Sequence, residues 1–148
     1  MNPSPEIADA LHKLLQHDVA DWTNHGFEQI KLRTVRRVFQ GQLGNVAVHI
    51  KVFRADTIAA KAKKALRTDK AEREANHLKK VQDLGLPCVE PLGHGIAIEG
   101  DQRQSFLVTR SITSDDFGFP ASPEVANAVG RLIRRVHDAS IEPLDLHP

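Results

Sequence analysis

Val46-Ala47-Val48-His49-Ile50-Lys51-Val52-Phe53 is the stretch whose reading decides the fold. Val46, Val48, Ile50 and Val52 alternate with Ala47, His49, Lys51 and Phe53, the period of two that sends successive side chains to opposite faces of a sheet. A strand is predicted, with Lys51 in its middle on the face away from the valine and isoleucine set. A charge held there needs water or a partner. Upstream, Thr34 to Phe39 reads as a second strand, joined to the first through Gly41-Gln42-Leu43-Gly44-Asn45 as a hairpin with Gly and Asn in its turn. Asn24 and Gly26 mark the entry into the sheet, which begins with the alternating pattern of Phe27 to Arg37.

Working outward, Pro5 to Trp22 places Ile7, Ala10, Leu11, Leu14, Leu15 and Val19 at helical spacing behind Ser4 as N-cap, so one amphipathic helix is predicted there. After Phe53 the β-branched residues thin out, and Thr57 to Leu84 predicts a second helix that Gly85 and Pro87 end. Glu74 falls on its apolar stripe of Ala71, Leu78 and Val81. A strand lysine and a helix glutamate therefore both point toward the body of the domain and can face each other. A plainer reading stands beside this one, in which Lys51 runs along a sheet edge and Glu74 is one more surface carboxylate. Cys88 to Ile98 and Ser105 to Arg110 then read as two antiparallel strands around Gly100-Asp101. A Ser, Asp, Gly and Pro connector follows, and Ser122-Pro123-Glu124 opens a last helix that runs through His137 into a loop.

At 148 residues and 41% apolar, the chain predicts one compact domain. The formal net charge of +1 gives no whole-chain argument for nucleic acid. Basic residues nevertheless dominate from Lys31 to Lys80 and acidic ones from Val81 onward. Lys61, Lys63, Lys64, Arg67 and Lys70 form either a solvated face or a contact for lipid or saccharide phosphates on an anionic membrane surface. Nucleic acid ranks below both, because no base-stacking aromatics accompany them. The single cysteine, Cys88, excludes an intrachain disulfide and fits a reducing compartment. No signal pattern and no membrane-length apolar run is present, so a cytoplasmic location is expected. The eight histidines show no HExxH spacing, and no metal site is assigned.

Val136-His137-Asp138-Ala139-Ser140 leads into Leu144-Asp145-Leu146-His147-Pro148. Together with Val48-His49-Ile50-Lys51, Arg73-Glu74, Leu84-Gly85-Leu86-Pro87 and Arg103-Gln104-Ser105-Phe106-Leu107-Val108-Thr109, this run resembles the lipopolysaccharide kinase (Kdo/WaaP) family of the protein-kinase-like superfamily. The resemblance spans roughly residues 29–148. It implies an α+β, protein-kinase-like small lobe with an antiparallel sheet of about five strands and one packed helix. The expected divisions are an N-terminal helical segment (1–26), the lobe itself (27–112), and a hinge connector with the first large-lobe helix and the start of a catalytic loop (113–148).

The resemblance further implies an ATP-dependent phosphotransferase acting on a saccharide or a lipid-linked sugar at the inner face of the cytoplasmic membrane. Lys51 would bind the α- and β-phosphates, Glu74 would anchor Lys51, and the backbone of Arg110, Ser111 and Ile112 would meet adenine. Asp145 would be the catalytic base. Mg2+ is expected with ATP, its ligands belonging to a C-terminal lobe beyond Pro148, so the chain is expected to be a fragment of a longer kinase. Two positions and one stretch depart from the family pattern. Pro143 stands where the family has histidine, Arg110 stands where it has glutamate, and residues 30–35, where a phosphate-covering loop would lie, hold no glycine. A second reading therefore stays open: a non-catalytic kinase-like module that holds a nucleotide or a protein partner.

Overall fold

A computed structural model describes residues 4–54, 69–112 and 122–139. Five strands, β1 (Glu28–Arg33), β2 (Arg36–Leu43), β3 (Val46–Phe53), β4 (Pro91–Glu99) and β5 (Gln102–Arg110), form one sheet in the order β1-β2-β3-β5-β4. All four pairings are antiparallel. The helices are α1 (Pro5–Leu14), a 3₁₀ helix (Val19–His25), α2 (Lys70–Asp83) and α3 (Pro123–Asp138). This is the α+β small-lobe arrangement expected from the sequence, with α2 inserted between β3 and β4.

The alternation in β3 sorts its side chains as predicted. Val48, Ile50 and Val52 are fully buried and join the larger core, which α1 and the 3₁₀ helix complete with Ile7, Leu11, Leu14, Val19 and Trp22. Phe53 points the other way, into a smaller cluster with Leu107 of β5 and with Ala71 and Ala75 of α2. The sheet is thus covered on one face by the N-terminal segment and on the other by α2. Trp22 anchors the first layer edge-on against Phe39, ring centroids 5.2 Å apart.

Several boundaries differ from the sequence reading: β4 begins at Pro91 rather than Cys88, β5 begins at Gln102 rather than Ser105, and two further differences have a clear local reason. The helix expected over Pro5–Trp22 breaks after Leu15, because Asp18 adopts an extended conformation and its carboxylate accepts from Ala20 N–H at 2.9 Å, starting a new helix. Val19 and Trp22 stand three apart, the repeat of a 3₁₀ turn, so periodicity alone could not separate the two. The β2–β3 turn is shorter than expected. Gly41, Gln42 and Leu43 continue β2, Leu43 pairs with Val46, and only Gly44-Asn45 turns, with Gly44 at φ +61°. The N-terminal segment reaches turns at both ends of the sheet: Glu6 Oε1 accepts from Asn45 N–H at 3.1 Å in the β2–β3 turn, and the Asp18 carboxylate accepts from Gly100 N–H in the β4–β5 turn. The start of the helix predicted from Thr57 lies outside the described residues, and the described part begins behind Asp69, whose side chain caps Ala71 N–H.

α3 has the predicted Ser122 cap and Pro123 start, yet none of its residues is buried. Val129 and Ile133 are exposed, and Arg135 donates to the Gly85 carbonyl at 2.7 Å, just past α2.

Candidate functional site

β3 is the central strand, hydrogen-bonded to β2 on one side and β5 on the other. Lys51 stands between Val38 and Leu107, so it does not lie along a sheet edge. α2 is seated over the same face by Ala71 and Ala75, whose small side chains bring its backbone close to Phe53 and Leu107. Glu74 lies three residues past Ala71, on the turn that overlooks β3. Lys51 Nζ donates to Glu74 Oε1 as a hydrogen-bonded ion pair. The strand lysine and the helix glutamate that the sequence allowed to meet therefore do meet.

The side chains of Lys51 and Glu74 are 25% and 30% exposed. A pair this open to water stabilises a fold by only about 1 kcal/mol or less. Its use is positional: one of the three ammonium donors is held by Glu74, and the remaining donors have no hydrogen-bond partner among the described residues and can meet an anion. The ring of Phe53 steadies the same region, 5.8 Å from Lys51 Nζ and 5.3 Å from Lys70 Nζ.

Two residues before Lys51, on the same face, His49 Nδ1 lies 3.0 Å from Ser111 Oγ and ties the central strand to the segment after β5. No local pattern signals this link, since the pair is 62 residues apart in the chain. Arg110 N–H donates to Glu90 O and Ser111 N–H donates to Ala47 O, each at 2.9 Å. The backbone donors of Arg110 and Ser111 are therefore already used within the fold. Arg110 Nε also donates to Glu90 Oε2 at 2.6 Å. Asp145 lies outside the described residues, as do Lys61, Lys63, Lys64 and Arg67 of the basic segment.

Cys88, between α2 and β4, donates its S–H to the Leu78 carbonyl at 3.5 Å. Burial pushes its thiol above the ordinary range. Among the described residues no group of three metal-ligating side chains occurs. No described helix is long and apolar enough to cross a membrane. A shallow cavity of about 210 Å³ is lined by Ala10, Leu14, Phe27 and Leu43 on the opposite, N-terminal face of the sheet, away from Lys51.

No family model matches the chain, and no curated protein matches it at a significant level. Among solved structures, it is similar to WaaP in complex with acyl carrier protein, at 15% identity and a TM-score of 0.49. That match covers 93% of this chain and 56% of the other, so the chain spans little more than half the length of that structure. A likeness this distant does not carry a function across.

Proposed function

We propose that the chain is the nucleotide-binding lobe of an ATP-dependent phosphotransferase of the lipopolysaccharide kinase type. The observation that carries this reading is the ion pair between Lys51 on the central strand and Glu74 on the helix that follows it. It supplies a fixed, partly exposed cation on the sheet face beside α2, the element that such enzymes use to hold the α- and β-phosphates. Ile112 and the carbonyls around it are the groups left to meet adenine, because the Arg110 and Ser111 N–H groups are donated elsewhere. Asp145 would orient the hydroxyl of a saccharide or lipid-linked sugar acceptor and take up its proton. Mg2+ would neutralise phosphate charge when bound with ATP. A membrane-borne acceptor would place the protein against the cytoplasmic membrane surface.

A non-catalytic nucleotide-binding module is the second reading. It is favoured by Pro143 before Asp145 and by the engagement of Arg110 with Glu90 at the hinge position.

Calorimetric titration with a non-hydrolysable ATP analogue tests the shared claim. Lys51→Met is expected to weaken binding about tenfold or more, the scale of losing a charge-assisted contact. Unchanged affinity would remove Lys51 from the site. ATP turnover with a sugar acceptor, lost on Asp145→Ala, supports the enzyme, whereas binding without turnover supports the module.

A further inference from the structure

The hairpin of β1 and β2 occupies the place where a phosphate-covering loop would lie, and its sequence has no glycine before Gly41. From Glu28 to Leu43 it holds four cationic side chains, Lys31, Arg33, Arg36 and Arg37, and one acidic side chain, Glu28 at the start of β1. The register decides where they point. Lys31 pairs with Val38, which pairs with Lys51; Arg33 pairs with Arg36, which pairs with Phe53. Directly paired residues project to the same face of a sheet. Lys31, Arg33 and Arg36 therefore share the face of Lys51, in two adjacent rows across three strands.

A β-bulge produces this alignment. The β1–β2 register shifts between Gln29 and Lys31, leaving Ile30 as an extra residue. In an unbulged strand, Ile30 and Leu32 would alternate in phase with Glu28, which pairs with Gln40 on the Lys51 face. The inserted residue reverses the phase and delivers Lys31 and Arg33 there instead, the re-aiming that bulges perform beside functional sites.

Arg37 is spoken for: it faces the opposite side and pairs with Glu99 at 2.6 Å. Lys31, Arg33 and Arg36 have no carboxylate partner among the described residues. Three cations on one face, without an ion-pair partner among the described residues, repel one another, and an anion placed among them relieves that repulsion. Strands lie about 4.8 Å apart and same-face neighbours along a strand about 7 Å apart. Long Lys and Arg side chains on such a grid reach a single extended polyanion, and the guanidinium fork suits phosphate oxygens.

We propose that Lys31, Arg33 and Arg36 join Lys51 in a polyphosphate-binding face, in which cationic side chains do the work that backbone amides do in a glycine-rich loop. The inference deepens the nucleotide reading above and rests on it for the identity of the ligand as a nucleoside triphosphate. It makes affinity depend on the number of phosphates and on salt, because exposed charges are screened.

The test titrates the chain and its Lys31→Gln/Arg33→Gln/Arg36→Gln variant with adenosine, ADP, the ATP analogue and inorganic tripolyphosphate, at low and at moderate salt. Circular dichroism and thermal melting establish that the variant is folded, and Arg36→Lys serves as the charge-preserving control. The triple variant is expected to lose about tenfold or more in ATP-analogue affinity, to lose less with ADP, and to flatten the salt dependence. Arg36→Lys retains most of the binding. An ATP-analogue affinity that the triple variant leaves unchanged, while Lys51→Met abolishes it, overturns this inference and leaves the nucleotide reading intact. Tripolyphosphate binding that needs the hairpin, with no preference for the adenine-bearing ligand, upholds the polyphosphate face and overturns the nucleotide reading. No binding of any phosphate ligand overturns both.

Discussion

Arg36 and Arg37 are neighbours in β2 and stand on opposite faces of the sheet, Arg36 opposite Phe53 and Arg37 opposite Val52. Arg37 meets Glu99 at 2.6 Å where both side chains are 17% exposed. Glu99 also accepts from the buried Gln104 side chain. The two arginines are chemically identical and differ only in parity along the strand. One is built into the fold, and the other is presented to the face that carries Lys51.

Their substitutions should separate accordingly. Glu99→Gln removes the charge that Arg37 and Gln104 share in a partly buried setting, and is expected to cost about 1–3 kcal/mol. Arg36→Gln, at a position with no carboxylate partner among the described residues, should change stability by no more than about 0.5 kcal/mol. Urea unfolding of both variants checks this, and comparable losses would contradict the parity argument.

Gly41 is required by packing. A Cβ there would overlap the edge of the Phe27 ring at Cδ1, and that ring is itself buried in the core. Gly41→Ala is expected to destabilise by about 1–3 kcal/mol through overpacking. Combining it with Phe27→Leu should recover part of the loss, because adjacent substitutions couple. Strictly additive losses in chemical denaturation would argue against the contact.

The raised thiol of Cys88 has a definite pH signature. Because the folded pKa lies above the unfolded one, the linked stability is full below the unfolded value and is lost as pH rises through the folded value. Alkylation by iodoacetamide in the native chain should therefore reach half-maximal rate at higher pH than in the urea-unfolded chain. Cys88→Ala should remove the corresponding slope from stability at alkaline pH. A native profile displaced to lower pH would contradict burial as the cause.

Glu74 is expected to act on a ligand only through Lys51. Glu74→Gln should weaken ATP-analogue binding several-fold, while changing stability by about 1 kcal/mol or less. In a Lys51→Met background the same substitution should have no further effect on affinity. Two independent, additive losses in the double-mutant cycle would show that Glu74 does not work by holding the lysine.

Much of the fold was legible because its signals are local. The alternation of Val48, Ile50 and Val52 against Lys51 fixed which side of β3 is core, and the Ser122-Pro123 start of α3 announced itself. Lys51 and Glu74 could be paired in advance because strand and helix periods each place one residue on an inward face. What stayed hidden depends on partners distant in the chain. Asp18 restarts a helix that periodicity would have continued, and its second carboxylate oxygen is used by Gly100, 82 residues away. The bulge at Ile30 leaves no mark in composition, yet it decides whether Lys31 or Leu32 shares a face with Lys51. Ser111 and His49 likewise become neighbours only once β5 is laid beside β3.

Amide NMR during titration with a non-hydrolysable ATP analogue observes the sheet face that bears Lys51 directly. The largest chemical-shift changes are expected at Lys51, along the paired segment of β2 around Arg36 and Val38, and at Ser111 and Ile112. Smaller changes are expected on α1 and the 3₁₀ helix. Shifts concentrated instead around Ala10, Leu14 and Phe27, with Lys51 and its paired strands unmoved, would contradict nucleotide binding at that face.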